Sequence, residues 1–260
     1  MTTVDEAATR TRLRLRWWRE VLYILAFYFV YSSIRNLSGT EARARKHALT
    51  IIKVEKALGL YHEHAFQHLF GIRQGADYHH LHWRTLVQFW NVYYGGPHFA
   101  VTIVAIVWLF RFHPERYPLW RNTLAFTTAL ALIGFALFPL MPPRLIGHGF
   151  VDTLDSVGGL WSFHSGPINK VSNQYAAMPS LHFAWALWCA CVFYPSCRRW
   201  WTKALVIAHP VCTLFAIVVT ANHYIIDALG GVVILAVGYV LGKAFTQMWE
   251  RRAQRSASRA

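Results

Sequence analysis

Charge is what this sequence has least of. Asp, Glu, Lys and Arg make up 15% of its 260 residues, whereas a soluble domain carries about 25%. The hydrophobic share is 55% and the aromatic share 16%, more apolar surface than one soluble core of this length can bury. That balance excludes a disordered or collagen-like chain and implies a protein that crosses a membrane several times. Cysteine is sparse too. Cys189, Cys191 and Cys212 lie in apolar stretches and Cys197 ends one. None shows metal-ligand pair spacing and no secreted disulfide framework is suggested, so they read as packing residues. Acids are fewer than bases, 12 against 26, for a net charge of +14. Such an excess fits nucleic acid or the basic cytoplasmic rims of a membrane protein, and its distribution decides between them.

Six apolar runs are present, at 17–34, 89–112, 119–140, 180–194, 204–220 and 224–245. Each approaches the roughly 20 residues a helix needs to cross a bilayer. The first follows a string of arginines but is long and lacks a small-residue cleavage site, so it reads as an uncleaved span. Six crossings put both termini on one side. Sixteen of the 26 basic residues fall in short flanks on that side: five before residue 20, three over 111–121, three over 198–203 and five from Lys243 onward. That side is therefore cytoplasmic. The +14 is mainly an orientation signal, and no basic stripe interleaved with aromatics supports nucleic acid as a partner. The expected fold is all-α, a six-transmembrane-helix bundle with a basic cytoplasmic N-terminus at 1–16. Its membrane domain covers 17–246 and a polar cytoplasmic tail 247–260, mobile from Arg251 onward.

Two segments lie outside the spans on the opposite, extracytoplasmic side. Residues 40–60 alternate Ala, Leu and Ile with Arg and Lys at helical spacing. This is an amphipathic helix, either lying in the membrane interface or packed on the bundle. Residues 141–177 hold Gly, Pro, Asp and Trp without helical periodicity, an outer loop long enough to roof a site.

Polar groups at membrane depth carry a high energetic penalty and are functional candidates. Among the acids, Asp227 falls inside a strongly apolar run, four residues after His223. On a helix that spacing shares one face, so the carboxylate can hold one imidazole nitrogen and leave the other lone pair outward. A purely structural His–Asp bond is the alternative. A second element, Met178-Pro179-Ser180-Leu181-His182, opens the fourth span. Proline suits a first helical turn, the free amides there favour an anion, Ser180 adds a hydroxyl, and His182 can carry a proton. Third, Pro142-Pro143-Arg144 closes the third span and presents a planar donor fork suited to phosphate. The six-span topology brings all three to one outer boundary. Six histidines over 62–82 form another possible metal site, although such interfacial histidines are mostly solvated.

These motifs resemble the type 2 phosphatidic acid phosphatase superfamily, and more narrowly its branch containing inositol-phosphoceramide synthase and related bacterial membrane proteins. The quoted residues are Pro179-Ser180-Leu181-His182 and His223-Tyr224-Ile225-Ile226-Asp227, with Leu181 where the phosphatases commonly have glycine. The superfamily's third motif usually carries an arginine six residues before its histidine; here that position is Ile217, and the first motif's lysine has no clear match ahead of Arg144. Substitute phosphate-binding candidates are Arg35, Lys170 and His98, with Asn173, Tyr175, Asn91 and Tyr94 as neutral partners.

The resemblance implies that His223 attacks phosphorus to form a phosphohistidine, with Asp227 orienting its ring. His182 would protonate the leaving oxygen and then activate the acceptor, while Arg144 and Ser180 stabilise the phosphoryl oxygens. No metal or other cofactor is needed. The expected protein is a multi-pass enzyme of the inner (plasma) membrane, with membrane lipids as substrates, both termini cytoplasmic and its site facing outward. It would transfer a phosphate head group, of phosphoinositol type, to an alcohol. Hydrolysis of phosphatidate or a polyprenyl diphosphate is the close alternative. A non-enzymatic transporter would show midplane polar groups and symmetric halves, and neither is seen. Oligomeric state is left open.

Overall fold

The computed structural model describes residues 17, 18, 20–22, 25, 29, 40–73, 75, 81–158 and 174–258. The described positions between 17 and 29 are helical. The other helices among the described residues are α1 (Glu41–Leu58), α2 (Glu63–Leu69), α3 (Leu81–Gly95), α4 (Pro97–Phe112), α5 (Tyr117–Leu137), α6 (Pro143–Ile146), α7 (Thr153–Ser156), α8 (Leu181–Phe193), α9 (Trp200–Val219) and α10 (Ile225–Ala257), together with the short 3-10 turn Tyr194–Ser196. Among the described residues there is no strand, only an isolated parallel bridge between Leu140 and Ala176. The described residues are thus all-helical, in keeping with the all-α expectation from the apolar runs.

Among the described residues, three helical stretches are long and apolar enough to cross a membrane: Arg84–Phe112, Trp200–Val219 and Ile225–Ser256. Their outer surfaces carry exposed Ile103, Val104, Val107, Leu205, Val211, Val233 and Val240, a pattern that water would penalise and lipid favours. The second apolar run is interrupted at Gly96, where α3 ends and Pro97 opens α4. At 13 residues, α8 is about 20 Å long, shorter than a hydrocarbon core. The helix α10 runs unbroken to Ala257, so the polar tail continues it rather than starting an irregular segment.

Close packing is built on small residues. Gly238 and Gly242 on α10 face Thr127 and Thr123 on α5, and a methyl group on Gly242 would lie 2.7 Å from the Thr123 amide nitrogen. Small residues four apart let two backbones approach at a depth where lipid supplies no hydrophobic drive. The same device recurs nearer the start of α10. Gly134 on α5 and Gly230 on α10 receive the ring of Pro179, and Gly231 receives the Ser180 carbonyl. The start of α8 is thereby wedged between α5 and α10.

The amphipathic helix packs on the bundle. Its buried stripe of Ala44, Ala48, Ile51 and Ile52 joins Leu140, Met141, Ile146, Phe150, Ala221 and Tyr224 in one cluster. That contact covers the end of the bundle where α9 turns into α10. The 141–177 segment is less irregular than its composition predicts, holding the short helices α6 and α7.

Candidate active site

The turn between α9 and α10 is wound tightly. The amides of Asn222 and His223 both donate to the Ile217 carbonyl, at 3.0 and 3.1 Å, and Ala221 takes a positive φ of 53°. His223 is thus set at the mouth of α10, with Asp227 in its first turn. Asp227 Oδ2 accepts the Tyr224 N–H at 3.0 Å and lies 3.3 Å from His223 Nδ1. With Asp227 Oδ2 as the acceptor, the ring proton sits on Nδ1 and the lone pair on Nε2.

Opposite it, α8 begins at Leu181, with Ser180 as its N-cap rather than Pro179 in its first turn. The Ser180 hydroxyl oxygen accepts the Phe183 N–H at 3.4 Å, and the Ser180 N–H donates to the Asp227 carbonyl at 2.9 Å. That last bond ties the two motifs together. The result is a direct contact between His182 Nδ1 and His223 Nε2 at 3.2 Å. With His223 Nε2 as acceptor, His182 Nδ1 is the donor. His182 stacks on Tyr94, with centroids 4.5 Å apart and planes at 25°, and its other neighbour is His98 at 4.4 Å. His98 is buried, and its Nδ1 has no hydrogen-bond partner among the described residues.

Arg144 approaches from α6. Its amide donates to the Ala221 carbonyl at 2.8 Å, its Nε to Asn222 Oδ1 at 3.0 Å and its Nη1 to Asp152 Oδ2 at 2.6 Å. The fork is therefore held on both sides by groups the sequence reading overlooked. Asp152 in turn is fixed by capping α7 through the amides of Leu154 and Asp155. Burial pushes the His223 imidazole down to about 4; the Ala177 backbone opposes the shift and the Arg144 guanidinium adds to it. The ring is neutral at physiological pH, the form a nucleophile requires.

Of the candidate residues, His182, His223, Asp227, Arg144, Ser180 and His98 converge on one end of the bundle. Tyr175 lies instead toward α1, its phenol beside Glu41 and its carbonyl accepting the Leu140 N–H at 2.7 Å. Arg35, Lys170 and Asn173 fall outside the described residues, as do His79, His80 and the side chain of His82. Asn91 is a scaffold residue that donates to the carbonyls of Thr153 and Gly158. The His64 and His68 rings lie 4.2 Å apart, tilted by 37°, but no three His, Cys, Asp or Glu among the described residues are arranged to hold a metal ion. Ile217, where an arginine is usual, is wholly buried among Val218 and Ala228. Two further acids went unnoticed: Glu55 and Glu63 are fully buried beside this site.

The described residues thus form an all-helical membrane protein with a His–His–Asp chain and an arginine fork at one bundle end. The chain belongs to the PAP2 superfamily, whose family model matches residues 49–241. Membership points to phosphatase or phosphotransferase activity on phosphate esters. Comparison with curated proteins and with solved structures returned no match.

Proposed function

We propose that this protein is an integral-membrane phosphoryl-transfer enzyme acting on a lipid phosphate or phosphodiester at the extracytoplasmic leaflet. The observation that carries the reading is the continuous Asp227–His223–His182 contact chain, at 3.3 and 3.2 Å. Asp227 holds the Nδ1 proton, so His223 Nε2 attacks phosphorus. His182, displaced from Nε2 by the incoming phosphoryl group, gives its proton to the leaving oxygen. A phosphohistidine forms, and His182 then takes a proton from the acceptor hydroxyl as it attacks. Arg144 and the α8 amides stabilise the equatorial oxygens. The membrane reading behind it has six crossings, both termini cytoplasmic, in the inner membrane. Leu181 and the missing arginine at Ile217 favour the head-group transfer branch over the phosphatases, with a phosphoinositol-type group moved to an alcohol.

The test incubates purified protein with phosphatidate, a polyprenyl diphosphate and phosphatidylinositol, with and without an alcohol acceptor. A new phosphodiester formed only with acceptor is the expected product; free phosphate in its absence would make the enzyme a hydrolase. His223→Ala should lower turnover by about 10⁴-fold or more while preserving the fold. Near-normal turnover in that variant overturns the nucleophile assignment.

A further inference from the structure

The first turn of α10 is gripped by two carboxylates that come from outside it. Glu55 on α1 accepts the Ile226 N–H at 2.8 Å, and Glu63 on α2 accepts the Ile225 N–H at 2.8 Å. Both residues are 0% exposed. Each spends one oxygen on its amide. Glu55 Oε2 and Glu63 Oε2 have no hydrogen-bond partner among the described residues. Because the two amides are consecutive on one turn, the carboxyl heads are drawn side by side. Two bare carboxylates in a dry site repel each other, and each unpaired oxygen adds its own desolvation penalty. A single proton between the free oxygens relieves both.

We propose that Glu55 and Glu63 share one proton, and that this acid–carboxylate pair clamps the first turn of α10 from α1 and α2. It thereby fixes where His223 and Asp227 stand. The role is one of positioning, and it rests on the reading of His223 and Asp227 as the reacting pair. Helices α1 and α2, peripheral by sequence, become part of the scaffold of the site. Burial pushes the Glu55 carboxyl up to about 9, with the Ile226 amide opposing the shift and Glu63 adding to it. The titratable groups facing the pair are Asp227 and Tyr224 from α10 and Tyr61 from the α1–α2 link. Lys56 on α1 lies over the Tyr61 ring at 4.9 Å. From α2, His64 turns to His68, and from α6, Arg144 turns to Asp152.

Glutamine substitutions separate a shared proton from simple packing. In Glu55→Gln, the amide oxygen keeps the Ile226 N–H while the NH2 donates to Glu63, as the proton did; Glu63→Gln is its mirror image. In the double variant two NH2 groups face each other without an acceptor, and turning either one sets it against a helix N–H. Each single variant should therefore keep turnover on a phosphate ester within about threefold. The double variant should lose about 100-fold in kcat with little change in KM, as expected for a displaced reacting group. Wild-type turnover should fall above pH about 9 as the shared proton leaves, and both single variants should carry that limb to higher pH. Three results would overturn the proposal: a double variant as active as the singles, a folded single variant as impaired as the double, or an unmoved alkaline limb.

Thermal melting in detergent keeps the test independent of the enzymatic reading. An acid whose folded pKa is raised stabilises most at low pH, and that stability is lost as pH rises toward the folded value. Wild-type Tm should thus decline toward pH about 9, and Glu55→Gln and Glu63→Gln should flatten the decline. Equal slopes refute the shared proton even if the protein turns over no phosphate ester, and flattened slopes support it even if the double variant does not fold.

Discussion

Replacing Gly231 by alanine should damage the site out of proportion to the stability it removes. A methyl group there would sit 2.7 Å from the Ser180 carbonyl oxygen and 3.4 Å from the Ala184 nitrogen. Carbon and carbonyl oxygen approach comfortably only to about 3.3 Å, so the start of α8 must retreat by roughly 0.6 Å. His182 lies two residues beyond Ser180 and rides on the same turn. Its 3.2 Å contact with His223 would open toward about 3.8 Å, beyond hydrogen-bond reach. A misplacement of 1 Å can reduce a rate about 100-fold, so half of that corresponds to about 10-fold. Overpacking itself destabilises by about 1–3 kcal/mol. Gly242→Ala supplies the control. It meets the Thr123 amide nitrogen at the same 2.7 Å, but about 16 Å further along α10. Comparable drops in Tm are expected for the two variants. Turnover per folded molecule should fall about 10-fold for Gly231→Ala and stay near wild type for Gly242→Ala. Equal turnover in the two refutes the idea that this close approach sets the distance between the histidines.

Two other outcomes follow from the same geometry. Arg144→Lys replaces a fork that reaches Asn222 and Asp152 together with a single ammonium; kcat/KM should fall about 100-fold, and a change below about twofold removes Arg144 from the phosphate-binding set. The depressed His223 pKa means that its stabilising contribution is complete above the ordinary histidine value and is lost as pH falls through about 4. The acid limb of kcat/KM should accordingly lie nearer 4 than 6.5, and a limb near 6.5 would show that His223 is solvated in the working enzyme.

The two histidine motifs are visible in the sequence because each is local: Asp227 lies four positions after His223, and Pro179 to His182 are four consecutive residues. Their meeting rested on topology, and the Ser180 N–H bond to the Asp227 carbonyl is its physical basis. The helix at Glu41–Leu58 was readable as amphipathic, but periodicity is the same whether the apolar stripe meets lipid or protein. Packing against Leu140, Ile146 and Tyr224 decides it. Glu55 left a signal that was passed over. It continues the stripe Ala44, Ala48, Ile51 at helical spacing, and a carboxylate on a buried face needs a partner. Glu63 stands among the histidines of the 62–82 stretch, where no apolar periodicity marks it as buried. Asp152 was hidden in a loop without periodicity, where no spacing rule links it to Arg144.

Two helix N-termini meet at this site, and the chain treats them oppositely. Both carry a partial positive charge that draws anions. At α10 the chain supplies its own acceptors: Asp227 takes the Tyr224 amide, while Glu63 takes the Ile225 amide and Glu55 the Ile226 amide, with one negative charge between them in the proposed pair. No phosphate can compete there, and the field of that helix end is spent on holding Asp227 against His223. At α8 the Ser180 N–H goes to the Asp227 carbonyl and the Phe183 N–H to the Ser180 hydroxyl, while the Leu181 and His182 amides have no backbone partner among the described residues. In the proposed mechanism an incoming phosphoryl group is therefore drawn to the α8 side, where His182 Nδ1 meets His223 Nε2 at 3.2 Å. The filled terminus orients the nucleophile and the open one receives its target. On the proposed mechanism, this division of labour would let a chain with Ile217 in place of a second arginine still gather an anion in a largely apolar protein.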